Sequence, residues 1–231
     1  MGFMERFFPN PVPNGSQSGN AMNSFATLSN QELEAHLDVK SYGEFELTDA
    51  VRPAYDLKIA PAQGYRHDVY IDDENNSRVP VIMAAASRRQ VFSTFIQLIE
   101  KLGPVVDVVL ETSHDSDDGE HQDLYREHID MPVLKSLLWE YEDLLLNDGC
   151  TGIAVLNPSR PQEVQFDEHK LLIMYGSPLE PFEFVLEKNG IGCQENIRFI
   201  SEAEHIHSST EDYHQLFEEF RMRLGMDESI C

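Results

Sequence analysis

Residues 79–110, VPVIMAAASRRQVFSTFIQLIEKLGPVVDVVL, constrain the fold more than any other part of the chain. Residues 79–86 form an unbroken apolar run of strand length, and its one proline stands near the start, where a strand tolerates it. Ser87 followed by Gln90 reads as a capping box. Val91, Phe92, Phe95, Ile96, Leu98, Ile99 and Leu102 then recur at helical spacing, and Gly103-Pro104 stops the helix before a second apolar strand, 105–110. Two apolar strands joined by one helix predict parallel neighbours, connected right-handedly and buried on both faces.

The rest of the chain supplies shorter elements. Residues 9–24 are rich in Pro, Gly, Ser and Asn, so residues 1–26 read as a flexible tail and 27–231 as one globular domain. Ser29 or Thr27 caps a short helix to Leu37. Alternation predicts strands at 44–47, 55–60 and 67–71, with the polar stretch 72–77 as a hairpin connection. Asp130 and Pro132 open a helix that runs through Leu145 and ends at Asn147-Asp148-Gly149. Strands follow at 151–156, 163–166, 171–175 and 197–200. Residues 181–188 fit a helix or an alternating strand, and a final helix starts from Ser208 and Glu211. The predicted class is α+β of the α/β type: a single domain with a mixed β-sheet containing one parallel β-α-β crossover and helices packed on it.

Charge narrows the function classes. Against 17 basic residues stand 41 acidic ones, a net charge of −24. Such a surface repels nucleic-acid phosphates and anionic lipid heads, and favours a basic protein partner. No apolar run approaches the ~20 residues of a membrane span. Three widely spaced cysteines, 150, 193 and 231, fit reduced thiols, so the expected location is cytoplasmic.

Ser87, Arg88 and Arg89 stand at a strand-to-helix turn, where two cations oppose the helix dipole and offer donors to a small anion. Glu111 to His114, and Asn157 to Arg160, would join that turn if their strands ran parallel, giving an anion site of Ser87, Arg88, Arg89, His114 and Arg160. Residues 111–130 carry eight carboxylates and histidines at 114, 121 and 128, but the acids miss the spacing of a calcium loop. A conditional helix over 120–129 would make that stretch a solvated connection. His205-Ile206-His207 puts two imidazoles on one side of a strand, with Glu204 and His214 near in sequence. Spacing fixes no third ligand, so no metal is assigned. Asp107, inside an apolar strand, reads as paired or solvent-facing. No nucleophile elbow, phosphate loop or dinucleotide fingerprint is present, and no cofactor is assigned. The expectation is a soluble acidic non-enzymatic binding protein, with a small-anion-binding protein or enzyme as the alternative.

Overall fold

The computed structural model describes residues 24–25, 28–71, 77–114 and 122–226. In chain order the elements are α1 (Asn30–Leu37), β1 (Ser41–Tyr42), β2 (Phe45–Glu46), β3 (Val51–Pro53), β4 (Gly64–Ile71), β5 (Arg78–Ala85), α2 (Arg88–Ile99), β6 (Val105–Thr112) and β7 (Gln122–Asp130). After them come α3 (Met131–Glu140), α4 (Glu142–Asn147), β8 (Thr151–Leu156), β9 (Glu163–Phe166), β10 (Leu172–Tyr175), α5 (Glu180–Lys188), β11 (His205–His207) and α6 (Glu211–Arg223). One seven-stranded sheet has the order β4-β5-β10-β9-β8-β6-β7, and every pairing in it is antiparallel. The class is therefore α+β.

The expected parallel crossover is not there. β5, α2 and β6 form as the sequence predicts, but β10, β9 and β8 stand between the two strands. Four strand steps at about 4.8 Å make roughly 19 Å. The 12 residues of α2 span about 18 Å, so the helix is long enough to carry the chain over all three intruding strands. Its buried residues include Val91, Phe92, Phe95, Leu98 and Ile99, and Phe95 stacks on Phe166 of β9 with ring centroids 5.4 Å apart. Phe95→Ala is expected to cost ~3–5 kcal/mol of unfolding free energy, measured by denaturant titration.

Strand alternation divides the sheet's side chains. Ile82, Ala84, Val106, Val108, Leu110, Ile153, Val155, Val164, Phe166, Leu172 and Met174 join the helices in one large core. Val79, Val109, Ala154 and Leu156 are buried from the other face. Asp107 is buried and paired: its carboxylate accepts the His128 N–H at 2.9 Å, where the β6–β7 ladder slips and His128 adopts φ 55°.

Several local expectations are corrected. Ser87 makes no side-chain cap on α2; its hydroxyl accepts the Glu46 N–H at 3.1 Å, and Gln90 bonds Gln63 instead. The α6 cap is Thr210, not Ser208. Of the stretch 120–129, residues 120 and 121 lie outside the described residues and the rest is not helical: 122–130 form β7, a polar edge strand of the kind that resists stray pairing. The helix expected through Leu145 breaks at Tyr141 (φ −107°), whose ring packs on Phe220 at 4.7 Å. Residues 181–188 are helical, with Phe182, Val185 and Leu186 buried while Phe184 is 65% exposed; an alternating strand would have put Phe182, Phe184 and Leu186 on one face together. Neither 55–60 nor 197–200 forms a strand. Among the described residues no helix is long and apolar enough to cross a membrane.

Candidate metal centre

A second, small sheet builds the most convergent cluster of side chains. β11 pairs antiparallel with β3, His205 opposite Pro53 and His207 opposite Val51. Alternation points both imidazoles to one side and Ile206 to the other. The third ring comes from the tight turn between β9 and β10, where His169 stands between Asp167 and Lys170, the latter at φ 63°. Ring centroids of the three histidines are 4.7, 4.8 and 4.9 Å apart, and one ring nitrogen of each lies within 4.8 Å of the others.

Hydrogen bonding decides which nitrogens face inward. His205 Nδ1 donates to the Ala203 carbonyl at 2.7 Å and His207 Nδ1 to the Gly149 carbonyl at 2.6 Å. A carbonyl can only accept, so both Nδ1 atoms carry the proton and each neutral ring keeps its lone pair on Nε2. His169 Nδ1 lies 3.0 Å from an Asp167 carboxylate oxygen, and the other Asp167 oxygen accepts the Leu171 N–H at 2.7 Å. Burial works against the Asp167 charge, but His169, the Leu171 amide and Lys170 hold the carboxyl below its usual range. As a carboxylate it too only accepts. His169 Nε2 then approaches His205 Nε2 at 3.1 Å. Two imidazole nitrogens at that distance need an electrophile between them, a proton or a metal ion. Two nitrogens bound to one tetrahedral zinc at about 2.0–2.1 Å would sit roughly 3.3 Å apart.

Burial lowers His207 to about 4 and lowers His205, which keeps both rings neutral and able to coordinate. For His169 burial also pulls down, yet the Asp167 carboxylate more than offsets it and the ring stays above its ordinary value. Gly149 lets the α4–β8 turn approach: a Cβ there would stand 2.5 Å from the Ala50 carbonyl oxygen and 2.8 Å from that of Ser208. That closeness brings the Gly149 carbonyl onto His207. Next to His169, the buried Lys170 donates to the Thr151 carbonyl at 2.7 Å. His169 and Lys170 also line a cavity of about 40 Å³ walled by Phe45, Leu47, Ala85 and Phe199.

The anion site expected from the sequence is not assembled as a unit. Arg88 donates to Asn147 at 2.6 Å and faces Asp49 at 3.4 Å, while Arg89 pairs with Glu46 at 2.5 Å. His114 lies elsewhere: its Nε2 is 2.9 Å from Asp148, and its ring stacks on His214 at 4.7 Å. β8 runs opposite to β6, so Asn157 and Arg160 fall at the far end of the sheet, where Asn157 donates to the Leu102 carbonyl at 2.5 Å. Glu204, close in sequence to His205, accepts the Ser24 N–H instead. Residues 115–121, the middle of the acidic stretch, lie outside the described residues.

His169 and Asp167 were missed by the spacing search because they stand 36 and 38 positions from His205. A hairpin turn reading D-x-H is their only local signal. Fold and site together define an α+β protein in which a turn of the seven-stranded antiparallel sheet and a strand of the small second sheet bring three histidines together. The chain matches no protein-family model, no curated protein and no solved structure.

Proposed function

We propose that this protein binds a divalent transition metal of the zinc class through His169, His205 and His207. The observation that supports the reading is the outward commitment of all three Nδ1 atoms, which leaves three Nε2 atoms to converge. Metal-ligating histidines almost always show that arrangement, the free N–H held by a carboxylate or a carbonyl. Imidazole donors suit zinc, nickel, copper and iron, whereas calcium and magnesium take oxygen. Among the described residues, no fourth histidine, cysteine or carboxylate joins the group. Three protein ligands and an open position are the catalytic form of a zinc site, where a bound water is acidified to about pH 7. The reaction class this favours is metal-assisted hydrolysis.

The test is zinc titration of chelator-treated protein, followed by calorimetry and thermal melting. One zinc per chain and a rise in melting temperature are expected, and both should vanish in His207→Ala. No uptake by the unmutated protein, or uptake unchanged in that variant, overturns the reading.

The net charge of −24 favours a second, compatible property, docking of a basic protein. Its mark is an association rate that falls steeply with added salt; salt-insensitive binding would count against it. The small-anion reading gains no such support, because Arg88 and Arg89 are engaged by Asn147, Asp49 and Glu46.

A further inference from the structure

Of the three groups that fix the histidine rings, two are backbone carbonyls and one is a side chain. We infer that Asp167 is a positioning residue that sets the tautomer of His169 and so decides that Nε2 is the atom presented to the centre. This rests on the metal reading above, and it goes further by naming the one side chain on which the third ligand depends.

The argument is one of donors and acceptors. His205 and His207 cannot present Nδ1, because each Nδ1–H is committed to a carbonyl that has nothing to donate. Among the described residues His169 has no such backbone partner, and its Nδ1 meets the Asp167 carboxylate at 3.0 Å. The carboxylate is itself held in place. Its second oxygen accepts the Leu171 N–H at 2.7 Å, while the backbone of Asp167 accepts from Lys170 at 3.0 Å and donates to the Leu171 carbonyl at 3.2 Å. The turn thus fixes the carboxylate, the carboxylate fixes the ring, and the ring reaches His205 at 3.1 Å.

Replacing Asp167 by asparagine separates this role from a structural one. In Asp167→Asn the amide oxygen can still accept the Leu171 N–H, so the turn keeps its bond. The amide nitrogen then lies against His169 Nδ1 and can only donate. Nδ1 must become the acceptor, and the ring proton moves to Nε2, where it blocks coordination. A residue that merely braced the turn would tolerate this change; a residue that sets the tautomer would not.

Two readouts are needed. The first is zinc affinity by competition with a chelator: Asp167→Asn should bind at least about tenfold more weakly than the unmutated protein while its metal-free melting temperature stays close to it. The second is the long-range proton–nitrogen NMR spectrum of His169 in metal-free protein, at a pH where the ring is neutral. It should report the Nδ1–H form in the unmutated protein and the Nε2–H form in the variant. Unchanged affinity together with an unchanged tautomer overturns the inference. If Asp167→Asn does not fold, the zinc-loaded unmutated protein decides: coordination through Nε2 with Nδ1–H retained upholds the assignment, and coordination through Nδ1 sinks it. If the unmutated protein takes up no zinc, the metal reading fails alone, since the tautomer pair is still read without metal.

Discussion

His169, His205 and His207 form one cluster of potential metal donors; His67, Cys193 and Glu195 form another, with donor atoms equally close. The two behave in opposite ways. His67 Nδ1 lies 2.6 Å from Glu195, and its Nε2 lies 2.6 Å from Glu183. Both ring nitrogens are held by carboxylates, which raise the ring's affinity for a proton and favour the imidazolium. Such a ring has no lone pair to give. In the three-histidine cluster no carboxylate holds an inner nitrogen: the outer nitrogens are bound by Asp167 and two carbonyls, and the inner nitrogens of His169 and His205 face each other at 3.1 Å. Donor identity and proximity are therefore poor guides to a metal site; what matters is which atoms are already committed.

The strongest way to break this contrast is to remove ligands from each cluster in turn. Replacing His205 and His207 together by alanine should lower zinc affinity by about a thousandfold or more, on the order of 4 kcal/mol. His67→Ala should leave zinc affinity unchanged. A loss in His67→Ala, seen by the same titration, would reverse the assignment.

A second test concerns the Glu111 carboxyl. Glu111 lies across the β6 ladders from Asp123 on β7 and Gly152 on β8. Burial, then the carboxylates of Asp123, Glu163, Asp167 and Glu168, push it up to about 8. The folded protein thus keeps a proton that the unfolded chain releases, so this group makes stability fall as pH rises from about 4.5 to about 8. Glu111→Gln should match the unmutated protein near pH 4.5 and melt about 2–4 °C higher, or more, at pH 8.5. An unchanged difference across that range would show that the carboxyl is solvated.

The smallest effect belongs to His67. Its raised folded value means that its contribution is fully present below about pH 6.5 and is lost as pH rises through that raised value. The side chain is 42% exposed, so solvent screens the pair and the contribution is at most ~1 kcal/mol. His67→Gln should melt slightly lower at pH 5.5 and at the same temperature at pH 9. A deficit that persists at pH 9 would mean lost packing rather than lost charge.

Local patterns were read from the sequence more reliably than partnerships. The apolar periodicity of 91–102 located α2, and the hairpin pair 163–166 and 171–175 formed as spaced, because both depend on neighbours in the chain. Strand order failed, because a β-α-β pattern specifies direction but not how many strands later enter the gap. The strand 205–207 showed two of the three histidines of the cluster. Its search for a third ligand looked to Glu204 and His214, which the fold sends to Ser24 and His114. Convergence of His169 needs β8 to turn at Gly149 and β9 to turn at Asp167, and no spacing rule connects those turns to residue 205.

The gap that α2 spans also sets an order of events. Hairpins β4–β5 and β6–β7 close between nearby residues, yet they join one sheet only when β8, β9 and β10, residues 151–175, insert between them. On a ribosome adding about 5–20 residues per second, the inner edges of β5 and β6 wait seconds for their partners. Those edges belong to the most apolar strands of the first half of the chain, and unpaired apolar edges template incorrect pairing. A nascent chain stalled after Asp130 would therefore hold two finished hairpins with nothing between them, each offering its inner edge to another molecule.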